Sequence, residues 1–349
     1  MKWSRLPIRE FDAFAADWDR VSATSAAAAP FMRSIFMRPL LRQFSLGNET
    51  IIAGYKGGRP VVAAIVQRTR LGMWQTFQPS QLPLGAIVFD RDLDSALVFT
   101  DLLKQSPGVA LALGVTQLDP IIAPRPAEQA CLQTLDYIDT AWVDVAGSFD
   151  DYWNARGKNL RHNIRKQRSK LDEQGIALRL EVLKRPQHVA QALVDYGNLE
   201  SAGWKAGGGT AIHPDNAQGR FYREMLEAYC AEGRARIYRL WFGESVAAID
   251  LCIASDDTLV VLKTTYDEKQ QGYSPAFLMR HAAFIDLFAE GVIRRIEFYG
   301  RIMDWHKRWT DNGRTLYHVN CYRSTWVPQL ISSLARMRKA PPPTTAEQP

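Results

Sequence analysis

Gly58-Arg59-Pro60-Val61-Val62-Ala63-Ala64-Ile65 returns later in the chain as Gly243-Glu244-Ser245-Val246-Ala247-Ala248-Ile249. Each copy lies inside a strand–turn–strand pattern with apolar flanks. Glycine and isoleucine are seven residues apart in the first copy and six in the second, so the first turn is expected to hold one residue more. In both halves a helix precedes the hairpin, and a strand, a loop, an apolar helix and a last strand follow it. Self-similarity of this kind indicates duplication, hence two units of one fold, with function kept where the copies differ.

The bulk properties agree with that reading. A chain of 349 residues is comfortable for two domains of ordinary size. Its 46% hydrophobic and 23% charged content suits a water-soluble protein, and no run approaches the ~20 apolar residues of a membrane span. The first twelve residues lack the apolar centre of a secretory leader. Cys131, Cys230, Cys252 and Cys321 stand far apart, with no CxxC and no histidine at ligand spacing. Buried free thiols in a reducing cytoplasm are expected, and no metal site. A net charge of +6 favours anionic partners.

Periodicity and punctuation predict an α/β fold with a mixed sheet. In the first half, Ser34–Phe44 reads as a helix, Thr50–Tyr55 and Val61–Arg68 as a hairpin, and Met73–Phe77 as a strand. Helix Leu93–Lys104 and strands Val109–Val115 and Ala141–Val145 follow. Pro79 and Pro83 make the loop Gln78–Gly85 a poor phosphate cradle. A boundary near Ala146–Asp150 divides the chain into 1–147 and 148–325, with 326–349 a terminal helix and a proline-rich disordered tail. The second half reads as helix Lys158–Glu173, strand Ile176–Leu183, and helices Pro186–Glu200 and Ala217–Glu232. Strands Ala235–Trp241, Val246–Ala254 and Leu259–Tyr266, helix Pro275–Glu290 and strand Arg294–Tyr299 complete it.

Three places carry chemistry. Strand Leu259–Tyr266 runs through Gly272-Tyr273-Ser274-Pro275-Ala276 into an apolar helix, with Ser274 suited to the cap and Pro275 to the first helical position. Open amides there would suit a pyrophosphate. Alternation along Val246–Ala254 puts Asp250 with Val246, Ala248 and Cys252, opposite Ile249, Leu251 and Ile253. The first-half counterpart is read as Val66. Asp250 is either a general base raised by burial or the partner of a structural cation. Between Arg156 and Lys170, seven Lys or Arg residues and His162 stand without an acid, on a helix whose apolar stripe is narrow. That face is either merely solvated or, through Arg161, Arg165 and Lys166, a site for phosphate groups or an anionic membrane. It has no interleaved aromatics, so DNA reading is not expected.

Leu199-Glu200-Ser201-Ala202-Gly203-Trp204-Lys205, Phe221-Tyr222, Leu262-Lys263-Thr264-Thr265-Tyr266-Asp267, Tyr273-Ser274-Pro275-Ala276, Glu297-Phe298-Tyr299-Gly300 and His306-Lys307-Arg308-Trp309 follow one another in a familiar order. The pattern resembles the GNAT-fold acetyltransferases called BioF2-like or CelD-like, relatives of the Fem-type aminoacyl transferases with tandem GNAT domains. It departs from them at Ala276, where glycine is usual, at Glu297, where aspartate is, and at His306, where tyrosine is.

The resemblance implies tandem GNAT-like domains, an active second half and a degenerate first. It implies acyl-CoA as co-substrate rather than a tightly bound cofactor, with Lys263, Tyr266, Gly272, Tyr273, Ser274 and Ala276 around it and the oxyanion donor in the splayed strand near Lys263–Tyr266. Catalytic candidates are Asp250, Glu200, Glu297 and His306. Glu200 is read either as facing an acceptor or as an exposed helix end, and Glu297 as reaching a cleft or a cross-strand partner. His306 is ranked below Asp250. Trp204, Lys205, Asp304 and Lys307 are candidates for holding the acceptor or an anionic group. The implied activity is N-acyl transfer from acyl-CoA or acyl-carrier protein to an amino sugar or amino acid in envelope or exopolysaccharide metabolism. The alternatives are a Fem-type aminoacyl-tRNA-dependent transferase and a non-catalytic scaffold of a polysaccharide-synthesis complex.

Overall fold

The computed structural model describes residues 1–25, 29–202 and 212–329. The first half runs β1 (Lys2–Pro7), α1 (Phe11–Thr24), α2 (Ser34–Phe44), β2 (Thr50–Lys56), β3 (Arg59–Arg70), β4 (Met73–Thr76), β5 (Ile87–Phe89), α3 (Ser95–Gln105), β6 (Ala112–Leu118) and β7 (Leu132–Asp144). The second runs α4 (Phe149–Asn154), α5 (Lys158–Glu173), β8 (Leu178–Leu183), α6 (Val189–Ala202), α7 (Ala217–Ala231), β9 (Ala235–Phe242), β10 (Ser245–Ala254) and β11 (Thr258–Tyr266). It continues with α8 (Pro275–Glu290), β12 (Arg295–Glu297), α9 (Asp304–Trp309) and β13 (Gly313–Tyr322). Trp204, Lys205, the tail and most of the expected terminal helix lie outside the described residues.

The duplicated hairpins form as expected, but their turns are equal in length. Lys56 pairs with Arg59 around Gly57-Gly58, and Phe242 with Ser245 around Gly243-Glu244. Gly57 and Gly243 open the turns with φ of 59° and 56°, angles that glycine adopts without a Cβ penalty. Two pairs further on, each second strand carries one bulged residue, Val61 or Ala247. The structural counterpart of Asp250 is therefore Ala64 rather than Val66, because the sequence match set Gly58 against Gly243 when Gly57 is the equivalent.

All the described strands join one mixed sheet, ordered β1-β2-β3-β4-β6-β13-β7-β12-β11-β10-β9-β8, with β5 beside β3. The order reads the same from both ends. β4 and β6 are parallel with α3 as crossover, and β11 and β12 are parallel with α8 as crossover, since parallel neighbours need a long connection. Each half then takes its next strand from the other: β13 pairs with β6, and β7 with β12. Sequence reading saw only the end of β7 and missed β13.

On one face the two halves share a core, in which α2 and α7 meet through Phe36 and Phe221, ring centroids 5.2 Å apart. Tyr229 seals it by donating its hydroxyl to the Pro30 carbonyl at 2.6 Å. The opposite face is covered by α3 in the first half and by α5 and α8 in the second.

Candidate active site

β11 has its parallel partner only at Thr258, Leu259 and Val260; beyond them it runs on without β12 along that edge. A cavity of ≈ 600 Å³ opens at its free end. Its wall includes Thr264, Thr265 and Tyr266 of β11, Ser274 just before α8, Pro275 to Phe277 and Arg280 of α8, Leu199 and Glu200 of α6, and Trp305 of α9.

Glu200 reaches the cavity from the last turn of α6 yet is only 4% exposed. One carboxylate oxygen accepts the Ile212 N–H at 2.9 Å, and Lys263 Nζ stands 3.5 Å from the other. Gly197 makes this approach possible, because a Cβ there would sit 2.3 Å from the Ile212 carbonyl oxygen. Glu200 is thus a buried carboxylate rather than an exposed helix end.

Asp250 lies behind the wall on the α8 side of β10, the side of Ala248 and Cys252 as alternation predicts; Val246, expected with them, packs on the other face with Ile249 and Leu251, because the bulged Ala247 shifts the alternation. Its Oδ2 is 3.5 Å from Arg280 Nη2, and Thr264 faces it across the pair of strands. Burial pushes its carboxyl above the ordinary range, and Arg280 opposes that shift. Asp250 Oδ1 and Arg280 Nε find no hydrogen-bond partner among the described residues. Arg280 itself lines the cavity, 3% exposed, with its guanidinium 4.4 Å from the Trp305 ring centroid. Sequence reading missed Arg280; its signal was a charge on the otherwise apolar stretch Phe277-Leu278-Met279-Arg280.

The loop into α8 is more self-contained than expected. Ser274 sits at the helix start with φ of 54°, but its side chain does not cap the helix. Its Oγ instead accepts Asn163 Nδ2 of α5 at 3.4 Å. Asp267 takes the Lys269 N–H, and the Phe277 and Leu278 N–H groups bond to the Ser274 carbonyl. With Pro275 lacking a donor, Ala276 carries the one first-turn N–H of α8 for which no backbone acceptor is found among the described residues. Tyr266, Ser274 and Ala276 line the cavity, whereas Gly272 and Tyr273 stand outside its wall. Tyr273 donates to Gln174 at 2.6 Å under Lys170, fastening α5 beside the mouth. Lys263 points to the α6 side, over Tyr222 and Tyr196.

The remaining candidates are elsewhere. Glu297 lines a separate cavity of ≈ 540 Å³, where it meets Arg314 at 3.0 Å and Arg314 also holds Asp119 at 2.5 Å. Burial raises its carboxyl to about 7 despite Arg314. His306 is buried, its Nδ1 accepting the Met303 N–H at 2.9 Å and its ring stacked on Trp305. Burial, then Arg280, lowers it to about 4. It stays neutral at ordinary pH and props Trp305 against the cavity. Asp304 and Lys307 are exposed and pair with each other at 3.6 Å.

A mixed sheet that parts beside a strand–helix–strand crossover, with a cavity in the gap, defines the GNAT class. The acetyltransferase (GNAT) domain family matches residues 158–336, slightly more than half of the chain, and the protein belongs to that family. Among solved structures it is similar to FemX, with a TM-score of 0.58 and 10% identity over 95% of this chain and 100% of that one. It is also similar to the C-terminal domain of a putative lysylphosphatidylglycerol synthetase from Agrobacterium fabrum, with a TM-score of 0.56 and 10% identity over 93% and 96%. At such identity the likeness is one of fold alone. No curated protein sequence matches significantly.

Proposed function

We propose that the cavity transfers an acyl group from an activated carrier to a primary amine. The acyl arm lies along the open edge of β11, whose main-chain N–H groups face the oxyanion that develops on the carbonyl. Glu200 takes the proton of the incoming ammonium. The neutral nitrogen attacks the acyl carbon, the N–C bond forms, the bond from carbon to the carrier's sulfur or oxygen breaks, and the departing group takes up the second proton that the nitrogen sheds as it becomes an amide. Arg280, braced by Asp250 and Trp305, offers its guanidinium to a carbonyl or carboxylate of the acceptor. Attack is direct, because Ser274, the serine in the wall, is bonded to Asn163 rather than to a base.

The observation that carries this reading is that one wall holds a strand edge left unpaired among the described residues, a buried carboxylate and a buried guanidinium. The donor we favour is acyl-CoA and the acceptor an amino sugar or amino acid, with envelope or exopolysaccharide metabolism in the cytoplasm as the setting. Calorimetry of the purified protein with acetyl-CoA and long-chain acyl-CoA, followed by mass spectrometry of amines incubated with the ester that binds, tests it. Saturable binding and an N-acylated product are expected; absence of binding by either ester removes acyl-CoA as donor.

A second reading, transfer of an aminoacyl group from tRNA, is favoured by two observations. The start of α8 offers few amides to a pyrophosphate. Beside the mouth, the basic helix α5 has 16 residues and so extends ~24 Å, enough to track several phosphates. Salt-sensitive binding of charged tRNA that weakens on neutralising Arg161, Arg165 and Lys166 would replace acyl-CoA with this donor.

A further inference from the structure

Leu71, Leu46 and Val109 are 85%, 82% and 80% exposed, more than any other large hydrophobic residue among those described. They come from three separate loops, before β2, between β3 and β4, and before β6, yet the sheet brings these loops to one end. Pro7 of β1 pairs with Thr50 where β2 begins, and Arg70 pairs with Met73 across the β3–β4 turn. The Leu111 N–H donates to the Gly72 carbonyl at 2.7 Å. Asn48, Arg70, Leu71 and Gly108 line one shallow depression between the loops.

The tips are fastened. Glu49, itself buried, accepts the Leu46 and Gly47 N–H groups at 2.9 and 3.0 Å and the Ser45 hydroxyl at 2.5 Å, so Leu46 is held out into water. Arg68 and Arg70 are exposed beside the tips, and neither has an ion-pair partner among the described residues. No carboxylate lines the depression.

We propose that this end of the first-half sheet docks on an anionic lipid bilayer. Leu46, Leu71 and Val109 enter the headgroup region while Arg68 and Arg70 engage lipid phosphates. Aliphatic tips with a flanking cationic rim gain both from apolar burial and from the negative surface potential. A second copy of the chain fits less well, because a two-fold contact sets a patch against itself and would bring the unpaired arginines together. The surface is distinct from the basic face of α5 and does not depend on which acyl donor is used.

Co-sedimentation with phosphatidylcholine vesicles, with and without phosphatidylglycerol, tests it. The full chain is expected to bind the vesicles that contain phosphatidylglycerol. The L46S/L71S/V109S variant should lose at least tenfold in partition, and R68Q/R70Q should lose the preference for anionic lipid. The same losses should appear in a background in which Arg161, Arg165 and Lys166 are neutralised. Thermal melts check the fold, and L71S alone, at a turn tip, keeps the test available if the triple variant unfolds. Vesicle binding unchanged by these substitutions overturns the proposal, as does a dimer in sedimentation equilibrium that the triple variant dissociates without any vesicle binding.

Discussion

Glu200 and Asp250 are both buried carboxylates, but only Glu200 lies in the cavity wall, and they predict different phenotypes. Glu200→Gln keeps the shape that receives the Ile212 N–H while removing the proton acceptor. Turnover with the donor that binds is expected to fall about 10²–10⁴-fold with little change in melting temperature. Asp250→Ala strands the Arg280 guanidinium in a buried site, which typically costs about 3–5 kcal/mol; urea unfolding reads this directly, and Arg280→Met with Asp250→Ala should recover part of the loss. Glu297 carries a pH signature. Its carboxyl is raised to about 7 in the fold, so the folded state holds a proton that the unfolded chain releases at lower pH. Its contribution is present at low pH and is lost as pH rises through about 7. His306 and His281, both lowered to about 4, act in the opposite sense, contributing stability at neutral pH that is lost on acidification. The Glu297 effect is therefore read as a difference: between pH 5 and 8 the wild-type urea midpoint should fall relative to that of Glu297→Gln.

At the scale of elements, two local departures from regularity build the site. In β11, Val261 stands opposite Cys252 and Lys263 opposite Leu251, which leaves Leu262 as a bulged residue. Strict alternation would put Lys263 with Leu259 and Val261 on the α8 face. The bulge moves it to the α6 face, where it meets Glu200, and leaves Thr264 facing Asp250. Such an inserted residue leaves no mark in hydrophobic periodicity, and so the orientation of Lys263 was not legible in the sequence. The second departure is Gly197, whose absent side chain lets residue 212 close on α6. Gly197→Ala is expected to cost roughly 1–3 kcal/mol by overpacking and to weaken turnover as well, because the backbone that holds Glu200 must shift; a denaturant titration alongside a rate assay checks both.

For the molecule as a whole, the exchange of strands makes each half dependent on the other. β6 needs β13 from the end of the chain, and β12 needs β7 from before the boundary. The shared core under α2 and α7 adds a second dependence. Calorimetry of the chain is expected to show one cooperative transition. Residues 1–147 expressed alone should lack a sigmoidal melt, since they would leave the edge of β6 and the apolar faces of α1 and α2 uncovered. A stable, cooperatively melting fragment would refute this coupling.

The sequence by itself determined the elements that local chemistry specifies: the glycine-opened hairpins, the alternation that grouped Asp250 with Ala248 and Cys252, the basic helix and the repeated order of strands around each crossover. It also carried the motif order that marks the family. Tertiary structure alone decided the rest. The pairing of β13 with β6 joins residues some two hundred positions apart, and no local preference encodes which edge a strand will join. The cavity likewise arises because β11 and β12 part after three pairs, which depends on how the other half fills the sheet. Arg280 became visible only once α8 was packed on β10, because a charge in an apolar helix acquires meaning from the carboxylate that awaits it across the layer.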